Sequence, residues 1–273
     1  RGRQVIMFKV LLHSEIGRTN QVHEDAYSNI GNVFVVADGV THDLDESGKY
    51  PNPSDSAHVA RVVCDSLVTS LSNTCSGLED IKNAFIVANS EVARLNEQSL
   101  RYTHRETNGY DIGAATVAAI VIKGKSLFYG VLDDCYVSVF GGDYIDHPLL
   151  NSYVDRSAKY LDDNFLWENI ETRKLWRKEL RNSKYINNGQ VYGYGALDGR
   201  EGFLDYLQLG EARLKIGDLV CLYTDGFIKL IQDRVFVQWL REERFSPETH
   251  EFITSRALEL QAHKEKTGYF IQV

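Results

Sequence analysis

Hydrophobic positions along this chain switch between two periods. Residues 5–12 (VIMFKVLL) form a nearly continuous apolar run of strand length. AYSNI at 26–30 and NVFVVA at 32–37 meet at Gly31-Asn32 and read as a hairpin. A polar loop then ends in YPNP at 50–53, a strong breaker. Beyond it the period lengthens. Ala57, Ala60, Val63, Cys64, Leu67, Val68 and Leu71 fall on one helical face, and Ser54 is suited to cap it, so a helix is expected over 54–73. A second helix is predicted over 77–98, with Ile81, Phe85, Val87, Ala88, Val92 and Leu95 inward. Strands return at 112–122, 126–132 and 134–140, the first two joined at Lys123-Gly124-Lys125. The segment 156–182 reads as a charged helix carrying Trp167 and Trp176, and 183–202 as a loop rich in Gly, Asn and Tyr. Strands at 203–209 and 218–224 flank LKIGD, helices are expected at 226–231, 233–243 and 247–263, and a last strand at 267–273.

This order lacks the βα alternation of a parallel sheet. Hairpins separated by helix pairs instead predict an α+β fold with helices packed on antiparallel sheets. No repeat and no low-complexity stretch interrupts the pattern. The 273 residues suit one or two domains, and a single domain spanning 1–273 is expected.

Composition narrows the function. Apolar residues are 43% and charged residues 25%, which excludes whole-chain disorder. Lys and Arg total 30 against 38 Asp and Glu, so the net charge is 30 − 38 = −8. Affinity for nucleic acid comes largely from neutralising phosphates, so an acidic chain is a poor general binder, and the same argument weighs against an anionic membrane surface. No run reaches the roughly 18 apolar residues of a spanning helix, and no leader-like segment opens the sequence, so a cytoplasmic protein is expected. Cys64, Cys75, Cys135 and Cys221 are 11, 60 and 86 residues apart, which argues against a zinc site and for packed thiols.

The position of the acids matters more than their number. Two apolar runs end in Asp-Gly: FVVADG places Asp38-Gly39 and LVCLYTDG places Asp225-Gly226. Glu24-Asp25 immediately precedes the strand that begins at Ala26. A lone Asp-Gly is usually only a turn. Three acidic sites at the ends of rigid strands can instead hold oxygen ligands to the tolerance of a hard divalent cation. Without a cation they would repel and raise one another's pKa.

The ordered segments HEDAYSN, NVFVVADGV, DIGAATVAAIV, LFYGVLDDCYVSVF, LKIGDLVCLYTDGF and KTGYFIQV resemble the metal-dependent protein phosphatases of type 2C, over roughly 15–273. That resemblance implies a four-layer α-β-β-α sandwich, two central antiparallel sheets flanked by helix pairs, with a helical flap-like insertion around 148–200. It implies that Glu24, Asp38 and the Gly39 carbonyl hold one Mn²⁺ or Mg²⁺ ion, and that Asp38 and Asp225 hold a second. Asp25 would orient water, and Asp133 would match the aspartate of the family's G-D-S turn and touch a peripheral third ion. The implied chemistry is hydrolysis of phosphoserine and phosphothreonine in a protein substrate, by water activated between two ions.

Four departures accompany it. The family's last metal aspartate falls at Lys264, beside Glu265. Three arrangements follow: Glu265 substitutes, one ion is weakly held, or the Lys264 ammonium replaces an ion by pairing with Asp225. The phosphate-binding arginine position holds Asn20, leaving Arg18 as the candidate. The acid that often follows A-D-G is displaced, and His42 is the candidate proton donor to the leaving group. Leu132 takes the glycine of G-D-S, and Cys135 the arginine that usually follows. His23 adjoins Glu24 and could support it, while His58 reads as an ordinary helix-surface residue. The charged stretch 168–181 reads as a solvated helix face, or as a substrate-protein contact if it belongs to the flap. Two rivals to the protein phosphatase follow: a pseudophosphatase acting as a binding module, because of Lys264, and a hydrolase of small phosphorylated metabolites.

Overall fold

The computed structural model describes residues 9–15, 22–41, 49–50, 52–98, 112–141, 172, 175–242, 249–262 and 265–273. In chain order the strands are β1 (Lys9–Glu15), β2 (Ala26–Ile30), β3 (Val33–Gly39), β4 (Ala115–Lys123), β5 (Ser126–Leu132) and β6 (Cys135–Phe140). They continue with β7 (Tyr185–Asn187), β8 (Gln190–Tyr192), β9 (Gln208–Arg213), β10 (Leu219–Thr224) and β11 (Lys266–Gln272). The helices are α1 (Asp55–Thr74), α2 (Leu78–Gln98), α3 (Ile228–Ile231), α4 (Arg234–Glu242) and α5 (Thr249–Glu259). Every pairing between these strands is antiparallel. One sheet has the order β2-β3-β4-β5-β9, another β1-β11-β10-β6, and β7-β8 is a small separate hairpin.

Three buried clusters explain why these runs are so apolar. Val33, Val35 and Ala37 of β3 pack with Val63, Leu67, Phe85 and Val92 of α1 and α2. The alternate residues Phe34 and Val36 face the other way, against Val220, Leu222, Tyr269 and Ile271 of the second sheet. The far side of that sheet meets α3–α5 through Cys221, Phe270, Leu230, Phe236 and Ile253. With both faces covered, alternation of hydrophobic and polar residues disappears, and β3 reads as a continuous hydrophobic run. At about 1.5–3 kcal/mol for each fully buried large aliphatic or aromatic side chain, these layers are the main stabilising contribution.

Helix α1 begins where the sequence suggests: the Ser54 hydroxyl caps it, accepting from the Ala57 N–H at 3.2 Å. Ile81, Phe85, Ala88 and Val92 form the buried stripe of α2. Val87, read as inward, is 49% exposed, because it lies two positions beyond Phe85 and so on the opposite side of the helix. The strand expected at 203–209 is replaced by a 3₁₀ turn, Glu201–Asp205, with β9 starting only at Gln208. Phe203 and Tyr206, three residues apart, both turn into the core, a helical rather than a strand spacing. The segment read as loop at 183–202 contains the β7-β8 hairpin, turning on Asn188-Gly189 with both residues at positive φ. An Asn-Gly pair is itself a hairpin signal, weakened here by the shortness of the strands. Of the helix expected at 156–182, residues 172 and 175–182 are described and contain a π turn at Trp176–Leu180, and residues 148–171 and 173–174 of the expected flap-like insertion lie outside the described residues.

All four cysteines are free thiols, with Cys64, Cys135 and Cys221 buried. Among the described residues no helix is long and apolar enough to cross a membrane.

Candidate metal centre

One end of the layer between the sheets is polar, and strand parity explains it. Asp38 lies on the same face of β3 as Phe34 and Val36, so it continues the inter-sheet side. Its cross-strand partner Thr116 continues the same face of β4. On the second sheet Thr224 follows Val220 and Leu222, and Thr267 precedes Tyr269 and Ile271, again in phase. Four apolar rows therefore end in polar residues at a single place.

Acids converge there. Carboxylate oxygens of Asp38, Asp134 and Asp225 lie within 4.8 Å of one another. They come from the end of β3, the β5–β6 turn and the turn after β10. The Thr116 hydroxyl donates to Asp134 Oδ1 at 2.6 Å. The Thr224 hydroxyl donates to Asp25 Oδ2 at 2.8 Å and accepts from the Thr267 N–H at 3.0 Å, which ties Asp25 to both strands of the second sheet. Glu265 closes the group: its Oε1 accepts from the Asp25 N–H at 2.5 Å and pairs with His23 Nδ1.

Glu24 is buried but differently engaged. Its carboxylate accepts from Ser54 Oγ and, at 2.7 Å, from Tyr50 Oη. Ser54 thus joins the acidic loop to the start of α1. Ser54→Ala should lower stability by about 1–2 kcal/mol, the cost of an N-cap together with one hydrogen bond to a charged group. Urea unfolding checks this, and an unchanged midpoint would contradict the link.

Gly39 has a packing role. A Cβ there would meet the Ser56 backbone at 2.9 Å and Glu24 Cβ at 3.0 Å, so only glycine lets the strand end pass between α1 and the acidic loop. Gly226 is tighter, since its added Cβ would lie 1.9 Å from the Glu265 carbonyl oxygen.

Among the described residues the local electrostatics are those of clustered acids. Burial, then the charge of Glu265, pushes the Asp25 carboxyl well above the usual carboxylate range. Burial raises Asp38 in the same direction, followed by the charges of Asp25, Asp134, Asp225 and Glu265. Asp133 is raised by burial and then by Asp134 and Asp225. Its Oδ1 is buried without a hydrogen-bond partner among the described residues. An all-oxygen donor set, several negative charges removed from water and an orphaned carboxylate oxygen together fit a hard divalent cation.

The structure thus brings together Asp25, Asp38, Asp225 and Glu265. It adds Asp134, which the sequence reading passed over for its neighbour. Asp133 occupies the left-handed region at φ 58°, and Asp134 is the one whose carboxylate stands with Asp38 and Asp225. Two adjacent acids in a two-residue turn were the available signal. Arg18, Asn20, His42 and Lys264 lie outside the described residues.

Beside this end of the two sheets sit residues 176–197. Arg177 Nη2 donates to the Thr41 carbonyl at 2.6 Å, Trp176 stacks on Tyr194 with ring centroids 4.8 Å apart, and Leu197 bridges to Ala115 at the start of β4.

No curated protein matches this sequence significantly. Solved structures do share the fold. The catalytic domain of the serine/threonine phosphatase PstP, in complex with two manganese ions, superposes with a TM-score of 0.65 at 16% identity, over 97% of each chain. Serine/threonine phosphatase Stp1 from Staphylococcus aureus gives 0.64 at 16% identity, covering 100% of this chain and 99% of its own. PppA, a regulatory component of the type VI secretion system in Pseudomonas aeruginosa, gives 0.61 at 16%, over 98% of each. The sequence model of protein phosphatase 2C matches residues 15–261. Nearly the whole chain is included in that match, and it belongs to the protein phosphatase 2C family.

Proposed function

We propose that this protein is a Mn²⁺- or Mg²⁺-dependent phosphatase acting on phosphoserine and phosphothreonine in proteins. The observation that carries the reading is the half-buried convergence of Asp38, Asp134 and Asp225 at the polar end of the two sheets. Family membership supports it, as does the description of PstP and Stp1 as serine/threonine phosphatases.

In this reading Asp38, Asp134 and Asp225, with the Gly39 carbonyl and Glu24, are the groups that hold divalent ions. Asp133, with its orphaned oxygen, is a peripheral donor. When bound, the ions supply Lewis acidity toward water and the phosphoryl oxygens and offset the local negative charge. Asp25, fixed by the Thr224 hydroxyl, accepts a hydrogen bond from the attacking water and orients it toward phosphorus. Arg18 binds the phosphate and His42 gives a proton to the leaving serine or threonine oxygen.

The test is hydrolysis of p-nitrophenyl phosphate and of a phosphopeptide panel after chelator treatment, with and without added Mn²⁺. Turnover should be lost on stripping and return with the ion. Metal-independent turnover would sink the proposal. A protein inert on every substrate would favour the binding-module reading, and a preference for phosphorylated metabolites the third.

A further inference from the structure

Glu265 is the acid of the group that immediately precedes β11, on the second sheet. Its backbone is fixed by contact with the Asp225-Gly226 turn, so tight that glycine is required at 226. One side-chain oxygen, Oε1, is held twice, by the Asp25 N–H at 2.5 Å and by His23 Nδ1. That places the carboxylate between the acidic loop before β2 and the start of β11, linking the two sheets where the acids meet. A charge raised against Asp25 and Asp38 is an unfavourable choice for a merely structural clasp. An amide would make the same hydrogen bonds without repulsion.

We infer that Glu265 is an ion-binding carboxylate of this centre and that His23 is the residue that positions it. The negative charge is retained because it faces a cation. One oxygen is anchored by His23 and Asp25, which fixes the orientation of the other. His23 stands to Glu265 as an outer hydrogen-bonding partner stands to a metal ligand, restricting its rotamer. The arrangement would compensate for a lysine at 264. The inference rests on the phosphatase reading only in requiring a divalent ion at the cluster.

The experiment is Mn²⁺ titration of the metal-stripped full chain by calorimetry, with thermal shift alongside. Wild type should take up two ions, and Asp38→Asn should bind neither tightly. Glu265→Gln keeps the side chain's shape and its acceptor oxygen, and removes only the charge. It should weaken one site by at least about 10-fold, and His23→Ala should do so by about 10–100-fold, as outer partners of metal ligands do. His23→Asn, whose amide N–H stands near the Nδ1 position, should restore most of the affinity. Wild-type uptake of no Mn²⁺ would end the phosphatase reading itself. Two-ion binding by wild type with equal affinity in Glu265→Gln would overturn only the present inference. Wild-type affinity in His23→Ala, or no rescue by His23→Asn, would remove the positioning role.

Discussion

Asp38→Asn is expected to lower Mn²⁺-dependent phosphatase turnover by about 10³-fold, the equivalent of about 4 kcal/mol of transition-state stabilisation. Asp38 shares a cluster with Asp134 and Asp225, and its charge is opposed by four neighbouring carboxylates. Without cations this is an unfavourable place for a charge. The same substitution should therefore leave the metal-free fold as stable as wild type or more so, while abolishing the rise in melting temperature that Mn²⁺ gives wild type. A ligand present at 100 times its dissociation constant stabilises by about 2.7 kcal/mol, so the lost shift is readily measured. The pH dependence follows in sign. Asp25, Asp38 and Asp133 bind protons more tightly folded than unfolded. Their contribution to metal-free stability is full below the ordinary carboxylate pKa and is lost as pH rises through their elevated values. Asp38→Asn should flatten that decline. Undiminished turnover, or an unaltered Mn²⁺ shift, would contradict the assignment.

The largest effect on stability is expected at Asp198. Its Oδ2 takes Arg200 at 2.9 Å through Nε and 2.5 Å through Nη2, and faces Arg181 Nε at 3.2 Å, near enough to pair though off the line of a hydrogen bond. Its Oδ1 accepts from Asn182 at 2.7 Å and from the Arg200 N–H at 3.0 Å. The Arg181 side chain is 1% exposed and that of Asp198 0%. Asp198→Ala removes the carboxylate facing a fully buried guanidinium and should cost about 3–5 kcal/mol. The main chain beside it is also tied down, because Asn96 donates to the carbonyls of both Gly113 and Asp198. Loss of Asp198 should therefore loosen the entry to β4, where Thr116 holds Asp134. Urea unfolding with Asp198→Asn alongside separates charge from hydrogen bonding, and a cost below about 1 kcal/mol would contradict a buried pair.

How far the sequence could be read depended on the distance over which each residue is determined. The β2-β3 hairpin, α1, α2 and the strand-end acids Asp38 and Asp225 follow from local period and position, and all are found where expected. Choosing between Asp133 and Asp134 required the sign of one φ angle in a tight turn. Phe203 and Tyr206 were assigned to a strand because an aromatic-rich run has no local mark of the 3₁₀ turn that buries both. The contacts of Glu24 with Tyr50 and Ser54 come from a loop and a helix start that only the fold brings together. Glu265 and Asp25 meet across 240 residues. Such a pairing leaves no trace in spacing.

The central claim is that Asp38, Asp134 and Asp225 hold divalent ions. Anomalous diffraction at the manganese edge, from crystals grown in Mn²⁺, tests it most directly. Two peaks among these three carboxylates and Glu265 are predicted. A cluster without any peak, in crystals equilibrated well above the dissociation constant measured in solution, would contradict it.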